Sequence, residues 1–143
     1  LEQDEAKKVA FLHIIATFDA SNYGMNFNGV FKSMGGYEIP LGYTVKVKFC
    51  NNSAVPHSVM VVDAADAERK INLGDEPYFP GACTPNPNTT GTTTKTETFK
   101  FVADEAGDFA LACGFPTHSL SGHRIFLKIK KDLAKAAFVV PEK

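Results

Sequence analysis

One cysteine and two histidines fall within a single short run, Cys113-Gly114-Phe115-Pro116-Thr117-His118-Ser119-Leu120-Ser121-Gly122-His123. A loop joining the last two strands of a sandwich would turn Cys113, His118 and His123 into one concavity, with Pro116 and Gly122 shaping the backbone. His57, which follows Pro56, arrives from a neighbouring loop in this reading and completes a set of three nitrogens and one sulfur. One thiolate with imidazoles suits copper, and a cysteine with two histidines in a trigonal plane plus a weak axial group is the electron-transfer copper arrangement. Zinc is the competing metal. Its structural sites usually carry Cys-x-x-Cys spacing, which this chain lacks, and its catalytic sites keep an open position. A Cys–His nucleophile would need an orienting carboxylate, and the window has no Asp or Glu. His13 sits among apolar neighbours and reads as a packed core histidine, while Met25, Met34 and Met60 read as core filler.

The elements that must position these residues are short. The 143 residues suffice for one domain with a proper core and are too few for two, so residues 1–143 are expected to form one domain with its core at about 9–130. Fifteen basic against sixteen acidic side chains leave a net charge of −1, which gives no electrostatic footprint for nucleic acid. No apolar run approaches the ~18 residues that cross a bilayer. The start at Leu1 rather than Met suggests a processed chain from which an export signal or anchor is missing.

Alternation of apolar and polar residues predicts strands at about 9–17, 43–50, 58–62, 96–102, 107–113 and 124–130. Both faces of the first are apolar, as in an inner strand of a sandwich. Residues 2–8 read as an exposed helical turn, 64–70 as a short helix, 132–137 as a terminal helix or frayed tail, and 31–39 as ambiguous. Between Asp75 and Thr94 lies a long Pro/Gly/Thr-rich loop, which a small domain seldom carries without packing it over something. The sum is an all-β fold, an antiparallel β-sandwich or Greek-key barrel. An exported chain would pair Cys50 with Cys83, pinning the long loop and leaving Cys113 free for the metal; two free thiols are the alternative. Asn51-Asn52-Ser53 and Asn88-Thr89-Thr90 are weak glycosylation sequons.

The 113–123 run resembles the C-terminal ligand loop of cupredoxins, and most closely that of the sulfocyanin family, where Cys-Gly-x-Pro-Gly-His-x-x-x-Gly-Met is typical. Asn26-Phe27-Asn28-Gly29, Glu38-Ile39-Pro40-x-Gly42, Val55-Pro56-His57-Ser58, Phe79-Pro80-Gly81-Ala82 and Pro85-Asn86-Pro87 resemble sulfocyanin segments in the same order. The resemblance covers about residues 9–130. It implies a cupredoxin sandwich, one copper ion, and His57, Cys113 and His118 as equatorial ligands. The family's axial methionine falls at position 123, where this chain has histidine, and Thr117 replaces the glycine before the ligand His118. It further implies an extracytoplasmic monomer, with or without a membrane tether, that passes single electrons between respiratory partners, a cytochrome or a terminal oxidase. Those partners are expected to dock near Phe115, Pro116, His118 and Leu120, and Asn26, Asn28 and Asn52 are candidates for hydrogen bonds behind the ligands. The competing function is a copper site with an exchangeable position that acts on a small molecule such as a nitrogen oxide.

Overall fold

Buried and exposed side chains alternate along β2 (Val9–Ala16) and β4 (Thr44–Asn51). Ala10, Leu12, Ile14 and Ala16 of β2 and Val45, Val47 and Phe49 of β4 enter the core, while Phe11, His13, Lys46 and Lys48 face outward. The computed structural model describes residues 1–93 and 95–141. Its other strands are β1 (Glu2–Asp4), β3 (Gly36–Pro40), β5 (Met60–Asp63), β6 (Thr96–Val102), β7 (Gly107–Ala112), β8 (Arg124–Lys130) and β9 (Ala137–Val139), with a short helix α1 (Ala64–Arg69) and a 3₁₀ turn at Ser21–Gly24.

One sheet runs β1-β2-β4-β6 and the other β5-β7-β8-β3-β9. Their inner faces share one core, in which Ile14, Phe27, Phe49, Leu111, Ile125 and Leu127 are closed to solvent. A second apolar cluster of Met60, Val62, Ala67, Ala110 and Ala112 fills the space under α1, on the outer side of β5 and β7. Asp63 caps α1, accepting from Ala65 N at 2.9 Å. Among the described residues, no helix is long and apolar enough to cross a membrane.

The all-β sandwich agrees with the sequence expectation, and several details correct it. The sheets are mixed, because β2 pairs with β4 and β3 with β8 in parallel. The chain visits the opposite sheet as β3 before returning as β4, and such a crossover lets strands run the same way. The 2–8 segment is no helical turn: one isolated turn nucleates poorly, whereas the edge of β2 offers a ladder that β1 completes. Gln3 fixes it, donating from Nε2 to Ala136 O (2.9 Å) and accepting Ala136 N on Oε1 (2.8 Å). The tail likewise ends as β9, antiparallel to β3, and β3 occupies the ambiguous 31–39 region.

Strand β2 is interior to its sheet, yet only one of its faces is covered. Phe11 is exposed with Lys46 Nζ 5.7 Å above its ring, and His13 lies on the same open face rather than in the core. Met60 is buried, whereas Met34 is exposed. Cys50 and Cys83 are free thiols. Cys50 sits on β4 opposite Thr96, while Cys83 bridges to Met60 in the other sheet and packs against the cluster under α1, so the sandwich separates the two. The long loop is instead held by burial of Phe79, Ala82 and Thr84 and by the bridges Met60–Cys83 and His57–Thr92; its last residue, Thr94, lies outside the described residues.

Two outcomes are expected. All three cysteines should titrate as thiols in the unfolded, unreduced protein, and a count of one would restore the Cys50–Cys83 bond. Ile125→Ala, which empties a fully buried site between the sheets, should lower stability by about 2–5 kcal/mol in urea unfolding.

Candidate metal centre

The four residues singled out from the sequence come together at one end of the sandwich. Their donor atoms all lie within 4.8 Å of one another. Cys113 follows directly on β7, and His123 directly precedes β8, so both are anchored by the β7–β8 ladder; Cys113 N donates to His123 O at 3.0 Å. Cys113 Sγ is 3.4 Å from His118 Nδ1 and 3.8 Å from His57 Nδ1. Cys113, His57 and His123 are 0%, 4% and 0% exposed, and His118 is half-buried.

Each donor is held from behind. His57 exchanges both backbone hydrogen bonds with Thr92 (3.0 and 2.8 Å), and Asn51 Nδ2 ties Thr92 O (2.6 Å) to Val55 O (2.8 Å). Asn51, not the expected Asn52, therefore fixes the His57 loop. Asn52 reaches only Thr17 O at 3.3 Å. Buried Ser58 donates to Pro87 O (2.7 Å), accepts from Gly114 N (2.8 Å) and sits 3.9 Å from Cys113 Sγ. A Cβ on Gly114 would meet Pro87 O at 2.8 Å, which explains the glycine after the cysteine.

Further round the loop, Thr117 N donates to Ile71 O (2.8 Å), Ser119 Oγ to Ala67 O (2.6 Å), and Arg124 Nη1 to Ser119 O (2.7 Å). Thr117 has φ of 73°, the left-handed conformation that glycine adopts freely and a β-branched residue resists. His123 stacks on Phe27 with ring centroids 4.2 Å apart, and its Nε2 lies 3.1 Å from Asn26 O. Asn28 completes the β2 ladder instead, accepting Ile15 N (2.8 Å) and donating to His13 O (3.0 Å). Sequence reasoning missed Asn51, Ser58, Ser119 and Thr92. Only Ser58 carried a signal, its place beside His57.

The electrostatics favour a neutral, proton-poor cluster. Burial, and then the neighbouring His118, lower the His57 pKa to about 4. Burial lowers His118 also, and burial with the two nearby imidazoles holds His123 well below the ordinary histidine value. The Cys113 thiol is pushed up by burial, against hydrogen bonds from Phe115 and Ser58. Such an arrangement suits a cation, which would displace the thiol proton and take the imidazole lone pairs, and among the described residues His123 Nδ1 is a buried polar atom with no hydrogen-bond partner. A thiolate and imidazoles at these separations fit one copper ion.

A sequence profile of the sulfocyanin (SoxE) domain matches residues 1–140. Sulfocyanin of Sulfolobus acidocaldarius is 28% identical over 122 residues, which are 82% of this chain and 61% of that protein, so the chain spans less than two thirds of this relative's length. Among solved structures, rusticyanin from Thiobacillus ferrooxidans superposes with a TM-score of 0.61 at 20% identity, covering 86% of this chain and 78% of that one. Auracyanin A from Chloroflexus aurantiacus, described as a "blue" copper protein, gives 0.55 at 19% identity over 85% and 99%. These likenesses establish the cupredoxin sandwich.

The depressed histidines set a pH dependence for the metal-free protein. Unfolded histidines take protons below about 6.5, while His57 stays neutral down to about 4, so folded-state stability is fully present above 6.5 and falls as the pH drops towards 4. His57 alone contributes a loss on the order of 3 kcal/mol. Urea unfolding across this range checks it, and His57→Gln should flatten the slope.

Proposed function

The chain belongs to the sulfocyanin family, and from that premise we propose that it is a mononuclear copper electron carrier whose metal is held by His57, Cys113, His118 and His123. The observation that carries this reading is the unequal burial of the four donors: three are buried, and His118 alone is half-exposed. Copper bound there supplies a one-electron couple between Cu(II) and Cu(I). The strands and the tied loops fix the donors, so a change of charge at the site need not rearrange them. Cys113 offers the covalent sulfur path out of the core, and His118 the short path to a partner.

Beside His118, Pro116 and Leu120 are exposed, Phe115 is half-buried against the His118 ring, and no charged residue occurs in the sequence between Cys113 and His123. This face suits a redox protein such as a cytochrome or terminal oxidase. Residues 1–143 acting as one monomeric copper domain on the extracytoplasmic side, with or without a membrane tether, belong to the same reading.

His123 sets the character of the site. A thioether binds Cu(II) weakly, whereas an imidazole is a stronger donor that favours the oxidised ion, so copper held with His123 as a donor would have a lower potential than with a methionine there. One observation bears on the exchangeable-site reading: a hollow of about 230 Å³, lined by Tyr23, Met25, Val55, His57 and His118, opens beside two of the imidazoles. Neither Cys113 nor His123 lines it, so the hollow lies beside two of the donors and away from the other two.

The oxidised, copper-loaded protein should show an intense sulfur-to-copper absorption that Cys113→Ser abolishes. His123→Met should move that band toward the blue-site position, narrow the copper hyperfine splitting and raise the potential, while azide leaves the wild-type spectrum unchanged. A colourless copper-loaded protein would end the electron-carrier reading, and a clear azide shift would favour the exchangeable site.

A further inference from the structure

Every polar atom of the Asn26 side chain is paired, although the residue is wholly buried. Nδ2 donates to Ser21 O (2.8 Å) and Asp19 O (3.1 Å), and Oδ1 accepts from Phe18 N (3.1 Å) and Gly29 N (3.1 Å). None of these bonds touches the donor cluster. Together they lock the peptide that follows, whose carbonyl accepts Thr17 N at 3.0 Å and lies 3.1 Å from His123 Nε2.

A carbonyl oxygen only accepts, so the bond requires the proton on Nε2. A neutral imidazole has one N–H, and Nδ1 is left with its lone pair. That nitrogen is the buried atom without a partner. Phe27, one residue on from Asn26, lies against the ring and fixes its plane. The same segment grips the ligand loop on either side of His123: Asn22 Nδ2 donates to Ser121 O (3.2 Å), Lys32 N to Gly122 O (2.8 Å) and Ser33 N to Arg124 O (3.2 Å). A Cβ on Gly122 would come within 2.9 Å of both Lys32 and Asn22, so the grip is close.

We propose that Asn26 is a positioning residue for the metal centre: by locking its own carbonyl onto His123 Nε2, it makes Nδ1 the donor atom and commits His123 to the site. The proposal rests on the reading of His123 as the fourth ligand. With the carbonyl displaced, the ring is free to carry its proton on Nδ1, which presents an N–H to the cluster where a lone pair is needed.

Nitrogen-15 NMR of the metal-free protein at pH 7.5 reads the His123 tautomer directly. The wild type should show only the Nε2–H form, and Asn26→Ser and Asn26→Ala should raise the Nδ1–H population at least tenfold. In the copper-loaded variants, the absorption and hyperfine splitting should shift toward those of His123→Leu, with the sulfur-to-copper band kept. An Nδ1–H ring in the wild type would overturn the proposal, as would an Asn26→Ser protein with wild-type tautomer and spectrum. If neither variant folds, Asn26→Asp, which keeps the bonds from Phe18 and Gly29, is judged by the same readouts. A copper spectrum indifferent to His123→Leu would overturn the ligand reading and this proposal together. A spectrum that responds to His123→Leu beside the wrong tautomer would overturn this proposal alone.

Discussion

Three imidazoles and a thiol gathered within 4.8 Å of one another, three of them buried, form the constraint around which this molecule is built. No group in the set can ionise cheaply where it lies, since burial disfavours a charge on any of them and each imidazolium would repel the next. The cluster is therefore a high-energy arrangement for a bare protein and a low-energy one for a cation. The rest of the fold opposes its relaxation. The β7–β8 ladder holds Cys113 and His123, Asn51 and Thr92 hold His57, and α1 with the segment after it holds the turn that carries His118.

What was legible in the sequence follows from how local each signal is. The strands whose exposure alternates residue by residue, β4, β6 and β8, announce themselves because alternation is a property of a single strand. The candidate site is legible for a similar reason: Cys113, His118 and His123 share one loop, and His57 sits in a short segment of recognisable type. Strand β1 and strand β9 escaped because three residues of edge strand owe their form to the ladder they join and not to their own pattern. The outward face of β2 misled because apolar composition does not say which side a second sheet will cover, and Phe11 ends up in solvent under a lysine stem. The cysteine pairing failed for want of the one fact that decides it, namely which sheet each thiol joins.

Residues that hold the candidate ligands from behind were the least legible. Asn51 and Ser119 act through backbone carbonyls contributed by distant segments, and nothing in the neighbouring sequence marks a side chain whose partner is another residue's peptide. The sequon at Asn51 pointed to the opposite role. The residue is buried, and both hydrogens of its amide are committed to carbonyls, so it serves the site as a strut and presents nothing to the surface.

Backbone strain is distributed in a way that follows the same logic. Among the described residues, nine non-glycine residues have positive φ, and six of them, Thr17, Asn22, Tyr23, Asn28, Lys32 and Ser33, lie in the one segment between β2 and β3 that reaches over to His123. A left-handed residue with a Cβ costs roughly 1–2 kcal/mol, less for asparagine, so this segment would not hold its shape alone. Asparagine side chains supply what the backbone cannot: Asn22, Asn26 and Asn28 together donate and accept across the turn, to β2 and to the ligand loop. A methionine at position 123 would make no hydrogen bond to the Asn26 carbonyl, because a thioether has no proton to donate. Histidine at this position therefore adds a side-chain tie to a strained strap that also bonds the carbonyls of Ser121, Gly122 and Arg124, and a thioether would leave those bonds without that tie.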